Sequence, residues 1–303
     1  MIKIVIFAVL VSLVCAYNND QNNQNSQNLQ SQIPCGFKNN GVVRLRLYGP
    51  EKDTAYDDRE FPWVVEILFQ EQAYQKHHCG GSLIHPQIVL TAAHCVQNKN
   101  VTDLRLRAGE CDTNPMCDFE KDQYRGVSEI VVHEEYYKGG LYNDIALLML
   151  DAPFEIDQYV RTVCLPPPNV QSSNCFATGW GLNYNQEAQA PNYNVAVQKI
   201  SVPIVPRQQC ESTLKTSRLG ESFVLHKSFL CAGGETTKDT TQGDGGAPLV
   251  CEFAGESERF YQLGIVSYGV LVGSSYPGVY ADVSVLRGWV DRKLQERGVT
   301  YLY

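Results

Sequence analysis

DIALLML, residues 144–150, is a short run of Ile, Leu and Met headed by an acid and preceded by Asn143. It is one of a series. WVVEILF (63–69), LRLRAGE (104–110), SEIVVH (128–133), VAVQKISV (195–202), QLGIVSYG (262–269) and GVYADV (278–283) are of the same kind, separated by clusters of Gly, Pro, Asn and Asp. Many short strands with few helical patterns predict an all-β protein, a barrel or a sandwich. This character begins near Phe61, and the roughly 240 residues beyond it suffice for one large core or two ordinary barrels. One helix stands out. VLRGWVDRKLQER (285–297) carries Leu286, Trp289, Val290 and Leu294 near one face, with Ser284 as its expected cap, Lys293 and Arg297 near its end, and Gly298 as its stop.

The segment before the strands has a different character. Residues 1–16, MIKIVIFAVLVSLVCA, combine Lys3, an apolar stretch from Ile4 to Val14 and the small Ala16. That is the composition of a secretory signal peptide, too short and wrongly flanked for an anchor, and cleavage is expected after Ala16. Residues 17–46 are expected to be a flexible N-terminal segment. Its Asn/Gln-rich part, YNNDQNNQNSQNLQSQIP (17–34), has too little apolar surface to fold alone. Residues 47–303 then form the folded domain.

Of eleven cysteines, Cys15 leaves with the signal, and ten remain: Cys35, Cys79, Cys95, Cys111, Cys117, Cys164, Cys175, Cys210, Cys231 and Cys251. An even number in a secreted chain implies five disulfides. No CxxC pair points to metal binding instead, and no metal or cofactor is expected. Asn100-Val101-Thr102 is a glycosylation sequon. The formal charge of −8 becomes −9 once Lys3 is lost, which disfavours nucleic acid and anionic membranes as partners.

Three separated segments carry the chemistry: Leu90-Thr91-Ala92-Ala93-His94-Cys95, Asn143-Asp144-Ile145-Ala146-Leu147-Leu148, and Gln242-Gly243-Asp244-Gly245-Gly246-Ala247-Pro248-Leu249. With CGGSLI (79–84) and ATGWG (177–181) beside them, they resemble the chymotrypsin/trypsin family of serine peptidases over about residues 47–297. The resemblance implies two six-stranded antiparallel β-barrels with a C-terminal helix. It places His94 as the base and Asp144 as the carboxylate that orients it. It also places Gly245 where the family pattern GDSGGP has its nucleophilic serine, because this chain reads GDGGAP. Gly243-Asp244 and Pro248-Leu249-Val250-Cys251 fix that register, and no serine lies between Ser228 and Ser257. Glycine has no side chain to attack with. Losing the nucleophile of such a triad costs about 10⁶ in kcat.

Other positions follow from the same resemblance. Backbone N–H groups of Gly243 and Gly245 match the oxyanion-hole donors. Asp239 matches the acidic base of a pocket for Arg or Lys, with Gly269 and Gly278 as its small walls. Disulfides are implied for Cys79–Cys95, Cys210–Cys231, Cys175–Cys251 and Cys35–Cys164, which leaves Cys111 with Cys117. The pocket disulfide of many relatives is absent, since Thr241 stands at one of its positions and VLVGSS (270–275) offers no partner. Arg46-Leu47-Tyr48-Gly49 resembles an activation site whose new N-terminus, Leu47, would pair with Asp244. Pro50 replaces a usual glycine there, and Arg44-Leu45 competes. Glu110, Asp112, Glu120 and Asp122 lie in a loop that binds calcium in some relatives and are read as a solvated acidic loop. His77 and His78 are read as surface residues.

The Gly-for-Ser change in a KDT–GDGG–PLVC setting is similar to the serine protease homologues of arthropods. These are often cofactors or regulators of extracellular cascades, including immune ones. Many carry a six-cysteine clip domain; with no cysteine between Ala16 and Cys35, this sequence is expected to be without one. The expected function is a secreted, non-catalytic homologue that engages a protease, zymogen or inhibitor. The alternatives are an active trypsin-like endopeptidase and an adhesive or microbe-binding protein.

Overall fold

The computed structural model describes residues 34–39, 60–71, 74–109, 122–168, 170, 173–180, 182–183, 192–193, 198–234, 244–270 and 275–299. Six strands, β1 (Val64–Glu71), β2 (Tyr74–His85), β3 (Ile88–Thr91), β4 (Leu104–Ala108), β5 (Gln123–Val132) and β6 (Ala146–Leu150), close into a barrel in the order β1-β2-β3-β6-β5-β4. Every pairing in it is antiparallel. In β4 the apolar Leu104, Leu106 and Ala108 are buried while Arg105 and Arg107 are less so, the two-residue alternation of a strand with one face inward.

The second half of the chain gives β7 (Ser173–Gly179), a two-stranded ribbon of β8 (Leu182–Asn183) and β9 (Asn192–Tyr193), then β10 (Gln198–Ser201), β11 (Ile204–Val205), β12 (Phe229–Ala232), β13 (Pro248–Phe253), β14 (Glu256–Tyr268) and β15 (Gly278–Asp282). Its main sheet runs β10-β7-β13-β14-β15-β12-β11. The two end strands are neighbours in the chain, with only Val202 and Pro203 between them. β10 pairs with β7 and β11 with β12, so one bent strand closes the ring and makes it six-stranded. Pro203 has no N–H to give to a ladder, which accounts for the break at the bend.

An aromatic cluster joins the two barrels. Trp63 is fully buried, with its ring 5.6 Å from Phe61 and 5.9 Å from Phe260 of β14, and Phe61 meets Phe260 edge-on at 6.2 Å. Such pairs add about 0.5–1.5 kcal/mol beyond their buried area.

Disulfides join Cys35 to Cys164, Cys79 to Cys95, Cys175 to Cys251 and Cys210 to Cys231. Cys111 and Cys117 lie outside the described residues. The Cys35 segment is held by backbone as well as sulfur: Gly36 donates to Thr162 (2.8 Å) and accepts from Phe260 (2.8 Å). Its φ is +83°, and a Cβ there would run into the Phe260 carbonyl, so only glycine fits.

Short helices follow β3 (α1, Ala93–Val96) and β11 (α2, Arg207–Lys215), and the C-terminal helix α3 spans Val283–Gln295. It buries Leu286, Trp289, Val290 and Leu294, the face read from the sequence, but it starts two residues earlier and Ser284 is not its cap. Asp282 is. Its carboxylate accepts from the N–H of Ser284 (2.9 Å) and of Val285 (3.3 Å). The negative charge also suits the positive end of the helix, an advantage a hydroxyl lacks. Asp282→Ala should therefore cost about 0.5–2 kcal/mol in urea unfolding, and Ser284→Ala much less. The helix docks on the first barrel through Glu134, which accepts from Trp289 Nε1 (2.7 Å) and Lys293 Nζ (2.5 Å). The Lys293 ammonium lowers the Glu134 carboxyl to about 2. Among the described residues no helix is long and apolar enough to cross a membrane.

Candidate functional site

The ends of three elements meet in one place. β3 runs into α1 and presents His94. Asp144 stands two residues before β6. Gly245 stands three residues before β13. The Asp144 side chain is wholly buried and carries its charge on three hydrogen bonds: from the His94 N–H (2.8 Å), the His94 ring at Nδ1 (2.7 Å) and the Ser267 hydroxyl (2.6 Å). A buried carboxylate needs that saturation. Because Asp144 can only accept, it fixes the tautomer of His94, with the proton on Nδ1 and the lone pair on Nε2. Burial, with a smaller part from the Asp144 charge, pushes the nearby Tyr136 phenol up to about 12.

The turn before Asp144 is built for this. Asn143 has φ +55°, a conformation asparagine tolerates well, and its own N–H is held by Ser228 Oγ (3.0 Å) while its side chain donates to the Glu135 carbonyl (2.9 Å). The turn carrying Gly245 is fixed by Gly80 donating to the Gly245 carbonyl (2.8 Å), Ala247 to the Asp244 carbonyl (2.9 Å) and Gly246 to the Val266 carbonyl (2.9 Å). Gly246 has φ +81° and no room for a Cβ against Thr91 and the Gly80 carbonyl.

Gly245 faces His94 directly. A Cβ built on it would lie 2.7 Å from His94 Nε2 and 3.3 Å from Cε1, closer than side-chain carbons approach one another. The imidazole occupies space that a side chain at 245 would need. Its other neighbour is Cys95 Sγ at 3.5 Å, and the imidazole side chain remains 27% exposed. Cys79, Cys95 and His94 place three metal-type donor atoms within 4.8 Å, but the two sulfurs are bonded to each other and offer no thiolate.

The remaining sequence-derived positions divide by location. Gly269 and Gly278 follow and precede the pair Tyr268–Val279 on adjacent strands, so they lie close together, and a Cβ at Gly269 would meet nothing within 4 Å. Asp244 is buried with its carboxylate against Gly179. Asn100 is exposed at the start of a single 3₁₀ turn, its side chain donating to Asp103 (3.1 Å). Asp239, Thr241, Gly243, Arg46, Leu47, Glu110, Asp112 and Glu120 lie outside the described residues.

Two readings of the sequence are corrected. His77 is not a surface residue: its side chain is 6% exposed, packs at a tilt against Trp180 (5.6 Å between rings) and bonds Glu66 through Nδ1 at 2.8 Å. Nor is Asp122 solvated. Its side chain is 6% exposed and lies 3.8 Å from Arg107, which in turn holds Glu66 (2.8 Å from Nε). Ser267 was missed. The signal available was its place in the strand run QLGIVSYG, where an isolated hydroxyl among apolar residues needs a partner.

With this geometry in view, comparison with known proteins is informative. A protein-family model described as Trypsin matches residues 52–290. Phenoloxidase-activating factor 2 of Galleria mellonella is 44% identical over 89% of this chain and 92% of its own length. Two Anopheles gambiae proteins are also similar. The inactive CLIP domain-containing serine protease A28 is 34% identical over 89% of this chain and 70% of its own length, and A8 is 36% identical over 86% and 71%.

Proposed function

Since the chain belongs to the trypsin family, we propose that Gly245 stands at that family's nucleophile position and that this is a secreted homologue that binds rather than cleaves. The observation that carries the reading is the contact between position 245 and His94: the one side chain that would face Nε2 is absent. His94 and Asp144 keep the pairing of a triad, and Gly245 keeps an N–H, but position 245 has no side chain to form the acyl-enzyme that peptide cleavage needs. Relatives named as inactive serine proteases support the same reading.

The role follows as a cofactor or regulator in an extracellular protease cascade of arthropod immunity. The name phenoloxidase-activating factor belongs to a relative that this chain covers over 92% of its length, so a cascade role of that kind does not require a much longer protein. The partner is a protease, a zymogen or an inhibitor, met through the face around Gly245, Gly269 and Gly278. The disulfides and residues 1–16 support export. Cleavage after Arg46 by another protease would free Leu47 to pair with Asp244.

The test has two readings. The chain, intact and cut at Arg46, is added to an active trypsin-like protease and prophenoloxidase. Raised phenoloxidase output, with no peptide turnover by the chain itself, is expected. Unchanged output would remove the cofactor role. N-terminal sequencing of the natural protein tests the cut: a start at Leu47 is expected, and a single chain starting at Tyr17 would contradict it.

A further inference from the structure

Nothing in the binding role uses His94, yet its ring is set up for chemistry. Asp144 holds the proton on Nδ1, which leaves the Nε2 lone pair bare. The nearest sulfur, Cys95 Sγ at 3.5 Å, is in a disulfide and has no hydrogen to donate to it. The ring is partly exposed, and its tip lies 2.7 Å from the position of a Cβ at residue 245. The nucleophile's space is thus occupied by a nucleophilic atom of another residue. The Gly245 carbonyl is tied to Gly80, but its N–H enters no hydrogen bond among the described residues.

We propose that His94 Nε2 is itself a nucleophile, and that the site hydrolyses activated aryl esters through an acyl-imidazole. The Nε2 lone pair attacks the ester carbonyl carbon, and the developing oxyanion takes the Gly245 N–H. The bond between the acyl carbon and the phenolic oxygen breaks, and the phenolate leaves with the electron pair. The acylated ring is a cation, stabilised by Asp144. Water then attacks the acyl carbon, the C–N bond breaks, the electron pair returns to Nε2, and the products are a carboxylic acid and a phenol. Amides are excluded by the same step. An amine leaves less readily than imidazole, so the adduct on a peptide bond collapses back to the starting materials. The activity is therefore compatible with an inability to cleave peptides, and it does not depend on which protein partner is bound.

The test uses the full chain with p-nitrophenyl acetate. As the acylated group is the nucleophile itself, His94→Ala should lose most of the rate above buffer, while His85→Ala at the end of β2 keeps it. Rapid acid quench of the unaltered chain, followed by peptide mass mapping, should place an acetyl group on His94, a readout that needs no variant to fold. An unchanged rate in His94→Ala would overturn the proposal. So would acetyl groups found only on lysines, or a His94-dependent rate with no acetyl-His94, which would make His94 a base toward water. Failure of the cascade assay would leave this result unaffected.

Discussion

Gly245→Ser is expected to raise peptide-bond cleavage strongly over that of the natural chain, but to fall short of a complete triad. Restoring the nucleophile to an intact site is worth about 10⁶ in kcat. Here the new Cβ would meet His94 Nε2 at 2.7 Å, so the ring must retreat. It is held at Nδ1 by Asp144, which three hydrogen bonds and full burial fix in turn. The imidazole must therefore tilt on its anchor rather than swing aside. A misplacement of about 1 Å costs on the order of 10². The expected gain is about 10⁴ in kcat on Arg and Lys peptides, measured after cleavage at Arg46. A gain near 10⁶ would mean that His94 returns freely to a triad position.

The second large effect lies in the charged group under the first barrel. Glu66 on β1 is buried between His77 of β2 and Arg107 of β4. Burial pushes its carboxyl upward, but bonding to His77 and the charge of Arg107 outweigh this and hold it below the usual carboxylate range. Glu66→Ala should destabilise the chain by about 3 kcal/mol, the lower end of the range for breaking a buried pair, since Arg107 is 20% exposed and can regain water. The sign of the pH dependence follows. A depressed folded pKa contributes stability above the unfolded value of about 4.5, and that contribution is lost as pH falls through the lower folded value. Unfolding midpoints in urea between pH 7 and pH 3 should fall for the natural chain and fall less for Glu66→Gln. Parallel curves would show that Glu66 is not the group responsible.

The features legible in the sequence share one property: a local pattern carries them. Strands such as β4 and β6 follow alternation and turn residues, and the helix face at Leu286, Trp289, Val290 and Leu294 follows its period. His94, Asp144 and Gly245 stand in motifs, which the fold brings to one place. What escaped depends on partners distant in sequence or on competition between near neighbours. His77 is buried because Glu66 and Arg107 approach from two other strands. Asp282 displaced Ser284 as cap because a carboxylate two residues earlier reaches both free N–H groups. The bend at Pro203 is visible as a proline, but that it closes a barrel depends on β7 and β12 pairing on either side. The closeness of His94 to position 245 depends on space alone, which no motif records.

The central claim is that one absent side chain separates this site from a protease. It is tested most directly by turnover of Arg and Lys peptide amides by the natural chain cut at Arg46, purified free of other proteases. The expected result is no cleavage above buffer, with Gly245→Ser, prepared identically, cleaving measurably. Cleavage by the natural chain that persists through purification and disappears in His94→Ala would contradict the account.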